Sequence, residues 1–454
     1  MADGRHSASR GRENRRSERT NRSLANEDRL RALGQAVEQR ANPSRPVRAA
    51  KARRSHRARR ITIITGVVIL GLLVALIGGS YLYAQWRFGQ IPKVNVVGEL
   101  PQLSGRSFNI LEIGSDSRTG LTGAVARQTG ASTNSVAGQR SDVVKIMHVD
   151  PGAGTITVLS IPRDTMVTLL ANQALFGKFN RINVNYGNGP SLLAQTITAN
   201  FGIPINHVIQ VSFAGLINAA DAIGGVYLDF PYPAKDAYSG LNIPHAGCQL
   251  VTGFQALAVA RSRHYQWYQN GVWYYDGTSD FGRIDRQNVF LRAMISRAKN
   301  LYNPLTINTF LSKIPQGITL DSGFTLNQLI AFAVKYHSFN PASMLTYTLP
   351  TVAATVAPVG DVLFAQQPQA QQLLVNIFGS SLLTPTNPPP NAQLQTPLPP
   401  VVSSTTTTTT LAPTTTTRPT TGTTGTTAKS ATGAKTPANP TAVVPYFDPV
   451  PCTP

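Results

Sequence analysis

The chain is short of acidic residues, of cysteine and of long apolar runs, and each shortage narrows what it can be. Its 454 residues carry 21 Asp and Glu against 41 Lys and Arg, a formal net charge of +20. That imbalance is local: residues 1–60 hold 18 of the Lys and Arg and only 6 of the acids. Blocks of like charge with few aromatics cannot bury a core, so 1–60 reads as a disordered, solvated arm. The two cysteines, Cys248 and Cys452, can close one disulfide at most. No helix-turn-helix or zinc pattern accompanies the basic arm, which makes nucleic acid the weaker partner for it and anionic membrane lipids the better one.

One stretch, 61–83, runs without a charge or a proline. It lacks amphipathic character, which excludes a half-buried core helix, and as a helix it crosses about 30 Å of hydrocarbon. No A-x-A site follows, and a leader of this length is too long for a signal peptide, so an uncleaved anchor is expected. Arg57, Arg59 and Arg60 precede the span, and Tyr81, Tyr83 and Trp86 close it. That asymmetry predicts a cytoplasmic N-terminus, with everything after Trp86 outside the cell.

Beyond a linker at 84–105, the segment 106–380 has the pattern of one folded domain. Strand patterns at Phe108–Ile113, Val143–Val149, Thr155–Ile161, His207–Phe213 and Val226–Phe230 alternate with helical ones. They predict an α/β fold, a mixed central sheet sandwiched by helices in a single extracellular domain. Further helices are expected near Thr306–Ile314 and Thr325–Tyr336. The Pro/Thr-rich tract at 381–442 has no packable pattern and reads as a spacer, and an apolar segment with Cys452 closes the chain at 443–454.

Charge collects where these strands end. The run TITVLSIPRD, 155–164, leads a buried strand into Arg163 and Asp164. Antiparallel pairing with the strand that Asp142 opens would bring Asp142 and Arg163 to one sheet edge. Asp116 lies in the loop after Phe108–Ile113. Arg261 and Arg263 flank Ser262 in a clamp suited to a multivalent anion. In the helix opened by Asp280, the side chains of Arg283 and Gln287 fall on the margin of the apolar stripe, so an anion at that N-terminus would satisfy them. Arg292 and Lys299 are expected at the surface. The aromatic run Tyr265–Tyr275 could stack sugars, touch a membrane interface or form a small satellite cluster.

GSDSR at 114–118, RSD at 140–142, SIPRD at 160–164, RIN at 181–183, the Gly224-Gly225-Val226 turn, RSR at 261–263 and DFGRIDRQ at 280–287 together resemble the LytR-CpsA-Psr family in order and spacing. The resemblance covers roughly 107–300. It implies transfer of a glycopolymer from a polyprenyl-pyrophosphate carrier to peptidoglycan as a phosphodiester. On the matching positions it implies that Asp116 and Asp142 hold Mg²⁺. Arg118, Arg163, Arg181, Arg261, Arg263, Arg283 and Gln287 would hold the pyrophosphate, and Arg163, Asp164 and Asp280 would act in catalysis, an Asp serving as base. Phosphoryl transfer needs charge neutralisation of this kind. Arg181 stands where the family commonly has Lys. The lipid would need an apolar slot, expected between the sheet and the helices at 190–223. Cys248 and Cys452 are either bonded, pinning the tail to the domain, or two free thiols. The competing functions are a pyrophosphatase, a wall-binding scaffold without turnover and a membrane-bound regulator using the basic arm.

Overall fold

A computed structural model of the chain describes residues 26–38, 46–99, 106–118, 121, 123–129, 141–298, 304–391 and 445–453. The chain divides into two compact units, Met1–Tyr83 and Ala84–Pro454. Arg140, Lys299 and most of the 381–442 tract lie outside the described residues.

In the first unit the arm is not structureless throughout: 26–38 is helical, and helix α1, Pro46–Gly89, starts well before the apolar run. Glu27 and Asp28 in the first turn of 26–38 favour its positive end, and Leu, Ala, Arg and Gln are good helix formers. Within α1 the stretch Arg59–Gly89 is long and apolar enough to cross a membrane. Its isoleucines, valines and leucines from Ile61 to Leu82 are exposed.

The second unit is built on a seven-stranded mixed sheet. Its strands are β1 (Lys93–Val94), β2 (Phe108–Ser115), β3 (Ser141–Asp150), β4 (Thr155–Ser160), β5 (His207–Val211), β6 (Ile318–Asp321) and β7 (Leu345–Thr348), in the order β1-β6-β5-β2-β3-β4-β7. The β2–β3, β3–β4 and β5–β6 pairs are antiparallel, and the others parallel. Strand alternation sends Leu111, Ile113, Val144, Ile146 and Leu159 to one face. There they pack on helix α2 (Pro190–Phe201) and on α6 (Gln369–Phe378).

Three helices form a second core: α3 (Phe213–Ala222), α4 (Gly253–Arg261) and α5 (Asp280–Ala298). They pack beside a small sheet of Gly247–Val251, Val226–Phe230 and Val450–Pro451. The expected later helices form at Pro304–Lys313 and Leu326–Lys335, the second with a capping box on Thr325 and Gln328. Arg292, expected at the surface, instead donates to the Met344 carbonyl at 3.0 Å and to Thr346 Oγ1 at 2.9 Å. β7 and its approach pass directly under that helix position, and burial of the stem gives the guanidinium backbone partners.

The tail is part of the domain. Cys248 and Cys452 are bonded, with their Cα atoms 6.1 Å apart. Val450–Pro451 adds a strand beside Val226–Phe230, and Phe447 stacks on Trp267 at 4.0 Å. Asp448 Oδ1 accepts from Arg286 Nη1 at 2.7 Å, and Asp276 Oδ2 accepts from the same nitrogen at 2.8 Å. Burial works against the charge of Arg286, but the two carboxylates outweigh it and raise its pKa. Arg286 has no solvent access, so losing one carboxylate leaves a buried charge undercompensated. Asp448→Ala should therefore destabilise the domain by about 3–5 kcal/mol, a fall in Tm of roughly 5–10 °C by circular dichroism. An unchanged Tm would contradict this account of the tail.

Candidate active site

The site begins at a register shift. β2 pairs with β3 in regular order until a bulge between Gly114 and Ser115, where a Cβ on Gly114 would run into Val143. Bulges re-aim the residues that follow, and here they direct the Asp116–Arg118 loop off the sheet end. Across the next pair, Lys145 sits opposite Ser160. Asp142 lies three residues before Lys145 and Arg163 three after Ser160, so the two side chains meet, with Arg163 Nη1 2.5 Å from Asp142 Oδ1.

The helices deliver the rest. Asp280, in the first turn of α5, has Oδ1 3.0 Å from Arg283 Nη2, 3.1 Å from Arg263 Nε and 3.9 Å from Arg163 Nε. Arg283 Nη2 also donates to the Asp142 carbonyl at 2.8 Å. Arg118 lies close enough to Arg261 for repulsion between them to add to burial in lowering the Arg261 pKa. Burial likewise lowers that of Arg283, against the pull of Asp280 and Asp142. For Arg163 burial is outweighed by Asp142, Asp164 and Asp280, and its pKa rises. Arg261 Nη1 and Arg283 Nε are buried donors without a hydrogen-bond partner. Buried donors are normally satisfied, and a multiply charged anion at this point would satisfy both.

Two of the expected anion ligands are committed elsewhere. Arg181 sits 3.5 Å from Asp164, but its Nη2 donates to the carbonyls of Val359 and Asp361 at 2.8 and 2.9 Å. It ties the Asp164 loop to the hairpin of Thr351–Val356 and Gly360–Ala365. Gln287 Nε2 donates to the Ala260 carbonyl at 2.9 Å, which fixes the end of α4 and so aims Arg261. Asp164 has weaker cationic contacts than Asp280, at 3.5 and 3.6 Å.

Asp142, Arg261, Arg283 and Gln287 rim a cavity of about 390 Å³ whose walls are apolar: Val143, Ile209, Leu216, Leu257, Phe290 and Met294 among them. It lies between the sheet and α3, α4 and α5. The slot expected at 190–223 thus uses the α3 part alone, because α2 packs on the opposite face of the sheet. Lys145 lies in the same wall, bonded to Asn288 Oδ1 and 3.3 Å from Ser160 Oγ. Burial pulls its pKa down to about 8 against the nearby Glu112. A lysine inside the apolar strand Val143–Val149 was the available sign of it, and Asn288 gave none.

Asp116 and Asp142 flank the β2–β3 end, where Ser115 stands opposite Ser141. Ser141 Oγ is buried there without a hydrogen-bond partner. Two carboxylates and an unsatisfied hydroxyl are hard oxygen donors of the kind Mg²⁺ takes, so the residues fit that ion. Among the described residues no group of three or more His, Cys, Asp or Glu could hold a metal. An ion held here would need its remaining ligands from phosphate and water, as Mg²⁺ commonly does.

The RSR loop owes its shape to Asp236. Its Oδ2 accepts from Ser262 Oγ at 2.7 Å and from the Arg263 and His264 amides at 3.0 Å each. Burial opposes ionisation, but these bonds and those from Ser239 and Tyr238 outweigh it and lower the pKa below the ordinary 3.8. A pKa lower in the folded chain than in the unfolded one gives stability that is complete above about pH 4 and lost as pH falls through the depressed value. Asp236→Asn should cost about 2 kcal/mol at neutral pH. The Tm gap to the wild type should narrow in acid; a gap that widens in acid would contradict this reading.

A model of the LytR_cpsA_psr family matches residues 90–377. LcpB of Corynebacterium glutamicum, named as a probable cell wall biosynthesis protein, is 28% identical over 314 residues, 68% of this chain and 69% of that one. TagV of Bacillus subtilis, a polyisoprenyl-teichoic acid–peptidoglycan teichoic acid transferase, is 28% identical over 246 residues, 52% of this chain and 56% of that one. The chain thus spans about half the length of that transferase. A solved LytR-Csp2A-Psr enzyme from Actinomyces oris shares the fold, with a TM-score of 0.50 and 23% identity over 65% of this chain and 97% of that one. With most of the folded unit inside the match and the seven motif positions drawn to one α/β scaffold, the chain belongs to the LytR_cpsA_psr family.

Proposed function

We propose that the protein is a membrane-anchored phosphotransferase that moves a glycopolymer from a polyprenyl-pyrophosphate carrier to peptidoglycan through a phosphodiester. What carries the reading is the placement of two buried, unpartnered guanidinium donors at the rim of an apolar cavity. A lipid pyrophosphate has that polarity: an apolar tail, then a dense anion. With α1 as the anchor and Arg57, Arg59 and Arg60 on the cytoplasmic side, the domain works outside the cell.

In this reading the tail occupies the cavity, and Arg261 and Arg283 hold the phosphate next to it. Arg163 and Arg263, farther out, hold the sugar-side phosphate, and Asp280 keeps three guanidinium groups in place. An acceptor hydroxyl attacks the sugar-side phosphorus, its new P–O bond forming as the bridging P–O bond breaks. Polyprenyl phosphate leaves with the bridging oxygen. Asp164, the less encircled carboxylate, takes the hydroxyl proton. Mg²⁺ on Asp116 and Asp142 would neutralise the pyrophosphate. Positioning and charge stabilisation suffice for such a transfer.

Full-length protein in detergent should release polyprenyl phosphate from a short lipid-pyrophosphate glycan when an acceptor is present, read by mass spectrometry. Arg163→Ala and Asp142→Ala should each slow release by about 10²–10³-fold, and chelation of divalent cations should stop it. Unchanged release in both variants would refute the site, and release insensitive to chelation would refute the metal.

A further inference from the structure

We propose that the open face of the aromatic sheet beside Arg263 is the seat of the acceptor, a peptidoglycan glycan strand of N-acetylated amino sugars. The inference rests on the transfer reading above and adds the surface that brings in the nucleophile.

The sheet has four strands, Leu241–Ile243, Ala234–Asp236, Gln266–Gln269 and Val272–Tyr275, in that order. Alternation divides its rings between two sides. Trp267 and Tyr274 share one side, stacked on one another at 5.5 Å; Phe447 of the tail covers Trp267, while Tyr274 stays 42% exposed. On the other side Lys235, Gln266 and Tyr275 lie in one row, and Tyr268 and Trp273 in the next. Tyr268, Trp273 and Tyr275 there are 39%, 40% and 51% exposed. Lys235 Nζ stands 3.8 Å over the Trp273 ring. Tyr238, 76% exposed, lies against His264 at 4.3 Å with the rings tilted, and His264 lies 6.4 Å from Tyr275.

Partly exposed rings gathered on one side of a sheet are suited to binding, and their chemistry selects the occupant. No aliphatic side chain stands in these two rows. Flat rings stand beside an amide, an amine and phenol hydroxyls, so apolar ring surface and hydrogen-bonding groups lie side by side. A pyranose presents the complement, an apolar C–H face edged by hydroxyls and acetamido groups.

Position selects acceptor over donor. The donor is already held by its tail and its pyrophosphate, whereas an acceptor sugar has neither handle and needs a stacking surface. In-line attack brings the nucleophile in opposite the leaving lipid phosphate, and so from the side away from the cavity. The ring face begins one residue beyond Arg263, at His264, and Asp236 fixes the amides of Arg263 and His264 to one carboxylate. Sugars seated on the rings therefore adjoin the RSR loop.

The test uses full-length protein in detergent, peptide-free glycan strands as acceptor and a short lipid-pyrophosphate glycan as donor. Trp273→Ala and Tyr275→Ser should each raise the KM for glycan strands about tenfold, the equivalent of one lost ring contact. Donor affinity and Tm should stay unchanged. Val272→Ser, on the opposite side of the same strand, should leave that KM alone. Normal transfer with an unchanged KM in both ring variants would overturn the proposal and leave the transfer reading standing. Absence of transfer in the wild type, together with glycan-strand quenching of tryptophan fluorescence that Trp273→Ala abolishes, would support the face while the transfer reading fell. Quenching of Trp273 by brominated lipid in proteoliposomes would place it in the membrane interface and overturn the proposal.

Discussion

The structure depends on holding guanidinium groups together at one sheet end against their mutual repulsion. Arg163, Arg261, Arg263 and Arg283 converge from a strand end, a helix end, a loop and a helix start. Asp142 and Asp280 make the convergence possible: the Asp280 carboxylate lies among Arg163, Arg263 and Arg283, and Asp142 holds Arg163 by its carboxylate and Arg283 by its carbonyl. Compensation is incomplete where it meets the cavity. Arg261 and Arg283 are buried enough for their pKa values to fall, and each keeps one donor without a partner. A site fully neutralised by its own carboxylates would offer an incoming pyrophosphate little.

Stiffness comes from a second layer of buried charge that never reaches the site. One turn beyond Arg283 on α5, Arg286 is locked by Asp276 and by Asp448 from the far end of the chain. Gly282 admits this arrangement, since a Cβ there would strike the Asp276 and Thr278 side chains. The disulfide and the short strand Val450–Pro451 then hold Asp448 in place. Asp236 serves the RSR loop as Asp448 serves the helix, and both link the catalytic rim to the aromatic sheet. Rigid positioning of this kind is what a reaction with little covalent chemistry for the protein requires.

Much of the fold was legible where the pattern was strong. The hairpin of β3 and β4 followed from an apolar run, an Asp-Pro-Gly turn and a second run, and its register alone placed Asp142 beside Arg163. The inward turn of Arg283 and Gln287 could be read from helical spacing. Less could be read where a side chain's partner is decided by tertiary packing. Nothing local distinguishes Arg286 from Arg292, yet one is locked in an ion-pair triad and the other bonds the approach to β7. Gln287 and Arg181 carry the right chemistry for an anion but spend it on backbone carbonyls. The cavity's location needed the crossover that sends α2 to one face and α3 to the other, which no periodicity encodes. Asp448 was invisible because the Pro/Thr-rich tract 381–442 separates it from the domain it completes.

The central claim is that the rim joins two molecules rather than cleaving one. The most direct measurement is ³¹P NMR of the product formed by full-length protein from a lipid-pyrophosphate glycan and peptide-free glycan strands. A phosphodiester resonance that co-purifies with the glycan strands, formed in step with polyprenyl phosphate, is the predicted result. Phosphomonoester alone, with the glycan strands unmodified, would contradict it and make the protein a pyrophosphatase.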